Sequence, residues 1–348
     1  VSERYSKVIL TGGTGWLGRR LAKAITDGTL SSRGSKLALK CLVTHGDDPK
    51  DLLALGADIE WGDIRDIEAC MALMDEGDDS LVIHAAGLIH PQIFTKDFRD
   101  VNVAGMRNIL NCATSVRATR ILVVSSNSVF GSNLGSCVTF NEQSNYNPYM
   151  GYGASKYESE RLAAAAIESK GYPEITIVRP PWFYGPGQPA RQTEFFRMVK
   201  DGNFPLMGDG RNKRSMGYID SIVSAILLAA YSKIAVGESY WIADDRPYEM
   251  VEIVDTIKSV LHDDFGFKVS KRNLHIPASI SDLARVVDGT LQSIGLYSQK
   301  AHVLSEMNQT IACDINKAKQ QLGYAPLCDL REGMQASINW CLTNNQCI

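Results

Sequence analysis

The stretch Val8-Ile9-Leu10-Thr11-Gly12-Gly13-Thr14-Gly15-Trp16-Leu17-Gly18 constrains this chain more than any other. An apolar run ends in glycines at 12, 15 and 18 and passes into a helical pattern, with Leu17, Leu21, Ala24 and Ile25 on one face. That is the order strand, tight turn, helix start. Glycine permits the turn and lets backbone approach a pyrophosphate, while the free amides and positive dipole end of the helix meet the anion. An ordinary glycine-rich βα turn has the same local look. Further βα units downstream favour the dinucleotide reading.

Those units are present. β-rich runs at 7–11, 37–43, 58–61, 80–85, 121–125 and 175–178 alternate with helical patterns at 16–26, 51–55, 66–74, 96–115 and 152–170. The alternation predicts an α/β fold with a doubly wound parallel sheet and right-handed crossovers. Beyond Arg179 a proline- and glycine-rich loop intervenes. Helical patterns then dominate, at 192–200, 219–230, 248–261, 279–294 and 330–342, with one strand at 239–242. We read residues 1–180 as a nucleotide-binding Rossmann domain. Residues 181–348 read as a smaller, mostly helical substrate lobe, partly interleaved with the first.

Composition excludes several classes. With 348 residues, 45% hydrophobic and 22% charged, the chain is an ordinary globular protein of one large or two unequal domains. A net charge of −3 supplies no field for nucleic acid or a membrane surface. No apolar run approaches the ~18 residues of a membrane span. Val1 to Lys7 shows no signal-peptide core before the first strand. The eight cysteines include no Cys-x-x-Cys pair, and a chain this long does not need disulfides. They read as reduced, mostly core residues of a cytoplasmic protein. The six histidines have no metal-ligand spacing, so no metal is expected.

Tyr152-Gly-Ala-Ser-Lys156 is the second sharp signal. Tyrosine and lysine four apart share a helix face. A phenol with a pKa near ~10 is a poor base at neutral pH, and a nearby ammonium lowers that value. The phenol can then exchange a proton with a substrate hydroxyl while hydride leaves the same carbon. Taken alone, such a pair is usually a surface helix pair. Here Ser125-Ser126-Asn127-Ser128 closes the fifth strand, where ligands sit in such sheets. Ser126 is the candidate to hydrogen-bond the substrate oxygen, although a strand-end hydroxyl can also serve as a turn cap. Asn102 either supports the site or caps local backbone.

With Gly62-Asp63-Ile64, His84-Ala-Ala-Gly87, Asn102-Val-Ala-Gly105, Val129-Phe130-Gly131, Arg179-Pro180, Tyr184-Gly-Pro-Gly187 and Arg214 through Asp220, these motifs span most of the chain. The chain resembles the extended short-chain dehydrogenases/reductases, of the NAD-dependent epimerase/dehydratase kind. The resemblance implies that Gly12, Gly15 and Gly18, with Trp16 and Leu17 at the helix start, hold the pyrophosphate. It places Asp63 and Ile64 beside the adenine, and Ala85, Ala86 and Gly87 along the ribose. Ser126, Tyr152 and Lys156 become the catalytic trio, with Lys156 also on the nicotinamide ribose. Arg214 matches an arginine that grips a substrate diphosphate, or else bridges domains. Relatives commonly dimerise through the helices at 96–115 and 152–170, so a homodimer is expected.

Four departures limit the functional reading. Thr44 stands where an acid would accept from the adenosine ribose, so the cofactor reads as NAD(P), leaning to NADP, with His45 or Arg19 available to a 2′-phosphate. Asn127-Ser128 replaces the Asp-Glu of sugar dehydratases, which argues against dehydration. Trp182 replaces a phosphate-contacting asparagine and opens a flatter, more apolar substrate site. Phe130 replaces a frequent tyrosine, a packing change.

Three functions follow. The first is an epimerase or oxidoreductase of a nucleotide-activated sugar, favoured by Arg214, Arg191 and Lys213. The second is a dehydrogenase/reductase of a secondary alcohol or ketone, resembling the 3β-hydroxysteroid and flavonol-reductase branches and favoured by Trp182. A non-catalytic NAD(P)-binding protein ranks last, because Tyr152 and Lys156 are both present. The first is preferred narrowly.

Overall fold

The computed structural model describes residues 4–27, 37–74, 79–135, 138–169, 171 and 173–348. Six strands carry the first half: β1 (Lys7–Thr11), β2 (Ala38–Val43), β3 (Asp58–Trp61), β4 (Ser80–His84), β5 (Arg120–Val124) and β6 (Glu174–Arg179). They form a seven-stranded sheet in the order β3-β2-β1-β4-β5-β6, with Ser239–Trp241 added beyond β6. Every pairing is parallel. Both faces are covered, so the inner strands read as unbroken apolar runs. Val8, Ile9, Leu10, Leu81, Val82 and Ile83 are all fully buried. Each such aliphatic side chain contributes about 1.5–3 kcal/mol of transfer free energy.

Strand order reverses between β1 and β4, which opens a crevice at the carboxyl ends of the strands. The register sets Thr11 opposite Leu42 on one side and His84 on the other. The residues after these three strand ends therefore surround the crevice.

Helix Trp16–Asp27 buries Leu17, Leu21, Ala24 and Ile25, the face its periodicity predicted. It packs in one core with helix Ile219–Tyr231. The opposite sheet face is covered by Gly105–Ser115 and Met150–Glu168. The end of the expected 152–170 helix falls at Lys170, outside the described residues.

Several elements differ from the sequence expectation, among them helix Asn316–Leu322 and the short strands between Trp182 and Ile276, which were not anticipated. The span 96–115 is not one regular helix: Lys96–Phe98 leads into a π-helical segment, Arg99–Ala104, before Gly105–Ser115. The bulge turns the Asn102 side chain onto the backbone of Leu88, accepting from its amide at 2.7 Å and donating to its carbonyl at 3.0 Å. Such bulges mark functional sites in many helices. Residues 248–261 open with an extended pair, Tyr248–Glu249, before helix Met250–Ser259, because Tyr248 pairs antiparallel with Arg214. Helix Gln299–Glu306 was not anticipated, and its N-cap Ser298 accepts from the Ala301 amide.

The second half holds its own apolar cluster, built on Phe195, Phe196, Ile253, Val254, Met334 and Ile338. It also returns Ser239–Trp241 to the main sheet. Among the described residues, no helix is long and apolar enough to cross a membrane, and no three potential ligand side chains gather around a metal-sized site. The described cysteines are all free, and Cys137 lies outside the described residues.

Candidate active site

The glycine turn is built by close approach. Gly12 has φ +74°, and a Cβ there would stand 2.7 Å from the Ala86 amide nitrogen. At Gly18 a Cβ would stand 1.9 Å from the Gly12 carbonyl oxygen. The turn is thus pressed between the end of β4 and the first turn of helix Trp16–Asp27. The Gly15 amide donates to Gly12 O at 3.1 Å. A Cβ on Gly15 would meet only that oxygen, at 3.2 Å, so this side of the turn is open. The Arg19 amide is taken by Gly15 O at 2.9 Å, and the helix's earlier amides are those that a helix start leaves without an intrahelical acceptor. Leu17 is buried in the core on that side of the sheet, and the Trp16 indole donates to Pro186 O at 2.9 Å and lies 5.0 Å from the Phe183 ring.

Around the turn lie the other expected cofactor residues. Thr11 Oγ1 is 2.8 Å from His84 Nδ1, and the Ala85 amide donates to Thr11 O at 3.3 Å. These contacts fix Ala85, Ala86 and Gly87 beside the glycines. At Gly87 a Cβ would meet Asn102 Oδ1 at 3.4 Å and Lys156 Nζ at 4.0 Å, so a side chain there would fill the gap between strand end and lysine. Thr44 is exposed at the end of β2, and its carbonyl accepts from the Asp47 amide. The Asp47 carboxylate in turn accepts from Thr14 Oγ1 of the glycine turn at 2.8 Å. Of the candidates for a 2′-phosphate, Arg19 donates one N–H to Thr14 O at 2.6 Å, and the His45 ring stacks on Trp61 at 5.6 Å. Asp63 follows β3 and is held by Arg65, while Ile64 is buried against Gly105.

Ser126, Tyr152 and Lys156 come together at the end of β5. Ser126 caps the short turn Asn127–Val129, accepting from the Ser128 amide at 3.2 Å. Burial pushes the Tyr152 phenol above its ordinary pKa. A hydrogen bond with Ser126 opposes that rise, Glu306 reinforces it, and Arg191 opposes it. Lys156 is buried, donates to Val124 O at 2.7 Å and is pushed down to about 8 by burial. The tyrosine and lysine share a helix face as expected. In this structure, however, the lysine hydrogen-bonds the strand-end carbonyl, and the cation lowering the phenol is Arg191.

The two expected substrate residues are placed differently. Trp182 turns toward Phe195, ring to ring at 5.5 Å, within the second half's apolar cluster. Arg214 donates to the backbone carbonyl of Glu306 and also feels its carboxylate. Sequence reasoning missed Glu306, which lies on an unforeseen helix, and Asp47, which lies four residues past the end of β2. It also missed the pair His90–Tyr297, joined at 2.6 Å across more than two hundred residues. No local spacing signals that contact.

A parallel sheet with a glycine turn at its switch point, a serine at the end of β5 and a tyrosine and lysine on the helix Met150–Glu168 defines an extended short-chain dehydrogenase/reductase. The family model for the NAD dependent epimerase/dehydratase family matches residues 8–243, and the chain belongs to that family. It is 46% identical over 343 residues to an uncharacterised Sinorhizobium fredii protein, y4nL, covering 97% of this chain and 96% of that one. A UDP-glucose 4-epimerase of Vibrio cholerae is 26% identical, over 94% of this chain and 93% of its own. A 3beta-hydroxysteroid-dehydrogenase/decarboxylase of Arabidopsis thaliana is 28% identical, over 69% of this chain and 57% of its own.

Proposed function

We propose that the chain is an NAD-dependent oxidoreductase/epimerase acting at a secondary carbinol or ketone carbon. The observation that carries this reading is the meeting of the Ser126 and Tyr152 hydroxyls at the end of β5, two strands along the same sheet from the glycine turn, with Lys156 over Gly87 between them. Ser126 orients the substrate oxygen by a hydrogen bond. Tyr152 takes the proton from that oxygen, or returns it. Lys156, with Gly87 beneath it, holds the cofactor ribose. The first-turn amides of helix Trp16–Asp27 meet the pyrophosphate. Asp63 and Ile64 border the adenine. The bound nicotinamide supplies or accepts the hydride.

Asp47 supports NAD over NADP, against the lean drawn from Thr44. Its carboxylate, on the glycine turn, replaces the missing strand-end acid and opposes a 2′-phosphate.

A nucleotide-activated sugar is the substrate class we place first, on the full-length likeness to a UDP-glucose 4-epimerase. A second reading is net oxidation of a non-nucleotide alcohol. The engagement of Arg214 by Glu306 and the turn of Trp182 toward Phe195 favour it. A homodimer through the helices at 105–115 and 150–168 completes the reading, and sedimentation of the purified chain tests it.

The deciding experiment asks whether NAD co-purifies and whether NADH accumulates with each substrate class. Interconversion of UDP- or dTDP-sugar epimers without net NADH supports the first reading, and stoichiometric NADH from a hydroxysteroid supports the second. Absence of NAD and NADP binding would sink both.

A further inference from the structure

The helix Met150–Glu168, which carries Tyr152 and Lys156, has no cap of its own. Its N-cap position is Tyr149, whose side chain bonds none of the helix's amides. A helix start leaves those amides without an intrahelical acceptor, and a Ser, Thr, Asp or Asn side chain usually supplies one. Met150, the first helical residue, has φ +50°, in the left-handed region that strains a side chain of this size. Tyr152, the hydrogen-bond partner of Ser126, comes two residues later. What holds this turn arrives from the second half of the chain.

Helices Ser279–Ser293 and Gln299–Glu306 pack as a hairpin, and the first of them lies against Met150–Glu168. Gln292 Oε1 accepts from the Gly151 amide at 2.9 Å, and Gln292 Nε2 donates to Asp288 Oδ1 at 2.9 Å. Asp288 is fully buried, and its other oxygen accepts from His302 Nδ1 at 2.8 Å, on the hairpin's second helix. Both Asp288 oxygens accept, so the Gln292 amide must turn its NH₂ to Asp288 and keep its carbonyl for Gly151. On the other side of Met150, the Tyr149 hydroxyl donates to Ser305 Oγ at 2.6 Å, and Ser305 donates in turn to His302 O at 2.6 Å. Gly151 is also enclosed. A Cβ there would stand 2.9 Å from Gln292 Oε1 and 2.9 Å from Phe98 Cδ2, and the Phe98 ring lies 6.1 Å from the Tyr152 ring. The residues on either side of the strained one are thus bonded to one hairpin, and Met150 cannot relax without breaking those bonds.

We propose that Gln292, oriented by Asp288, is a positioning residue for Tyr152: it supplies the cap that the helix lacks and holds the strained Tyr149–Gly151 turn in the form that sets the phenol against Ser126. The proposal rests on the hydride-transfer reading, which makes Tyr152 the group to be positioned. Gln292 acts through a backbone amide one residue before the phenol. The second half of the chain thereby completes the acid–base group of the first.

The test reads Tyr152 directly by NMR. The full chain, with NAD added, is labelled with carbon-13 at the tyrosine Cζ, and Tyr152→Phe identifies the Tyr152 signal. Ser126→Ala gives the position of that signal when the phenol has lost its partner. In Gln292→Leu the signal should move toward the Ser126→Ala position. Turnover is followed on UDP-glucose or a hydroxysteroid, whichever the native chain accepts. In Gln292→Leu kcat should fall about 10–10²-fold, as for a misplacement of about 1 Å, with KM and the NAD dissociation constant within about twofold of native. Adding Met150→Gly should return the signal toward its native position and recover most of kcat, because glycine adopts positive φ without strain. Loss of packing alone would show no such rescue. Gln292→Asn, too short to reach Gly151 and Asp288 together, carries the same expectations where Gln292→Leu does not fold. A Tyr152 signal that stays at its native position in the folded variant, or one that moves and is not returned by Met150→Gly, overturns the proposal. The signal needs no turnover, so failure of the hydride-transfer reading shows separately, as a native chain that converts neither probe while the signal moves and returns.

Discussion

The Lys156 ammonium donates to the Val124 carbonyl at 2.7 Å, tying the middle of the helix Met150–Glu168 to the last residue of β5. This one bond joins the two elements that supply the serine and the tyrosine. It satisfies a carbonyl that has run out of sheet partners, and it fixes the ammonium above Gly87. Burial pushes the lysine down to about 8, so it still carries its charge at neutral pH. Glu160, one helical turn on, favours that charge and is itself locked to Arg179 at 2.8 Å in a buried pair. The lysine is thus a fixed post between strand and helix, and the phenol one turn earlier is held against the same strand end.

Tyr152→Phe removes the proton carrier and nothing that touches the glycine turn. Turnover should fall by about 10²–10⁴-fold, the usual worth of a positioned acid–base group. The NAD dissociation constant should stay within about twofold. Stopped-flow turnover and calorimetric NAD binding on the same preparation check this. A variant with native rates would remove Tyr152 from the mechanism.

Gly18→Ala tests the turn itself. The added carbon would lie 1.9 Å from Gly12 O, a backbone atom that cannot swing aside. Overpacking of this kind costs about 1–3 kcal/mol. The melting temperature should therefore drop by several degrees, and NAD affinity should fall with it because the turn is displaced. Gly46→Ala is the control: a Cβ there meets nothing within 4 Å, so its melting curve should overlay the native one.

The alternation of elements, the glycine turn and the cluster Ser126, Tyr152 and Lys156 were legible in the sequence because each is local. Periodicity over a few residues places a strand or helix, and the order of βα units then fixes the sheet. What was not legible depends on contacts far apart in the chain. Asn102 reads as helical, and only the π-helical turn shows its amide clamped on Leu88. Arg214 matches a motif, but Glu306, ninety-two residues away, takes up its guanidinium. Thr44 occupies the strand-end position where an acid is sought, while the Asp47 carboxylate, on the loop beyond it, bonds Thr14 of the glycine turn.

Asp47→Asn tests that last point. If the carboxylate reads the adenosine ribose, the native chain binds NAD more tightly than NADP, and the substitution narrows the gap by relieving repulsion of the 2′-phosphate. We expect the ratio of the two dissociation constants to shrink about tenfold, an energy of ~1.4 kcal/mol. Fluorescence titration with both cofactors reads the ratio directly. A native chain that already prefers NADP would contradict the role given to Asp47.

Asp244 gives a pH prediction whose sign is fixed by its surroundings. It is buried, and accepts from the Tyr184 hydroxyl and the Tyr218 amide, each at 2.9 Å. Burial outweighs these bonds and raises the carboxyl to about 6 from an ordinary 3.8. Between those two values the folded protein keeps a proton that the unfolded chain has released. Stability therefore falls as pH rises through the window. Below it Asp244 imposes no ionisation penalty, and above about pH 6 the full penalty applies, on the order of 3 kcal/mol. Asp244→Asn abolishes this titration and leaves the other groups in place. Urea unfolding at about pH 4.5 and about pH 7.5 measures it: relative to the native chain, the variant should gain stability on going to the higher pH. Equal differences at the two pH values would mean that Asp244 ionises as it does in the unfolded chain.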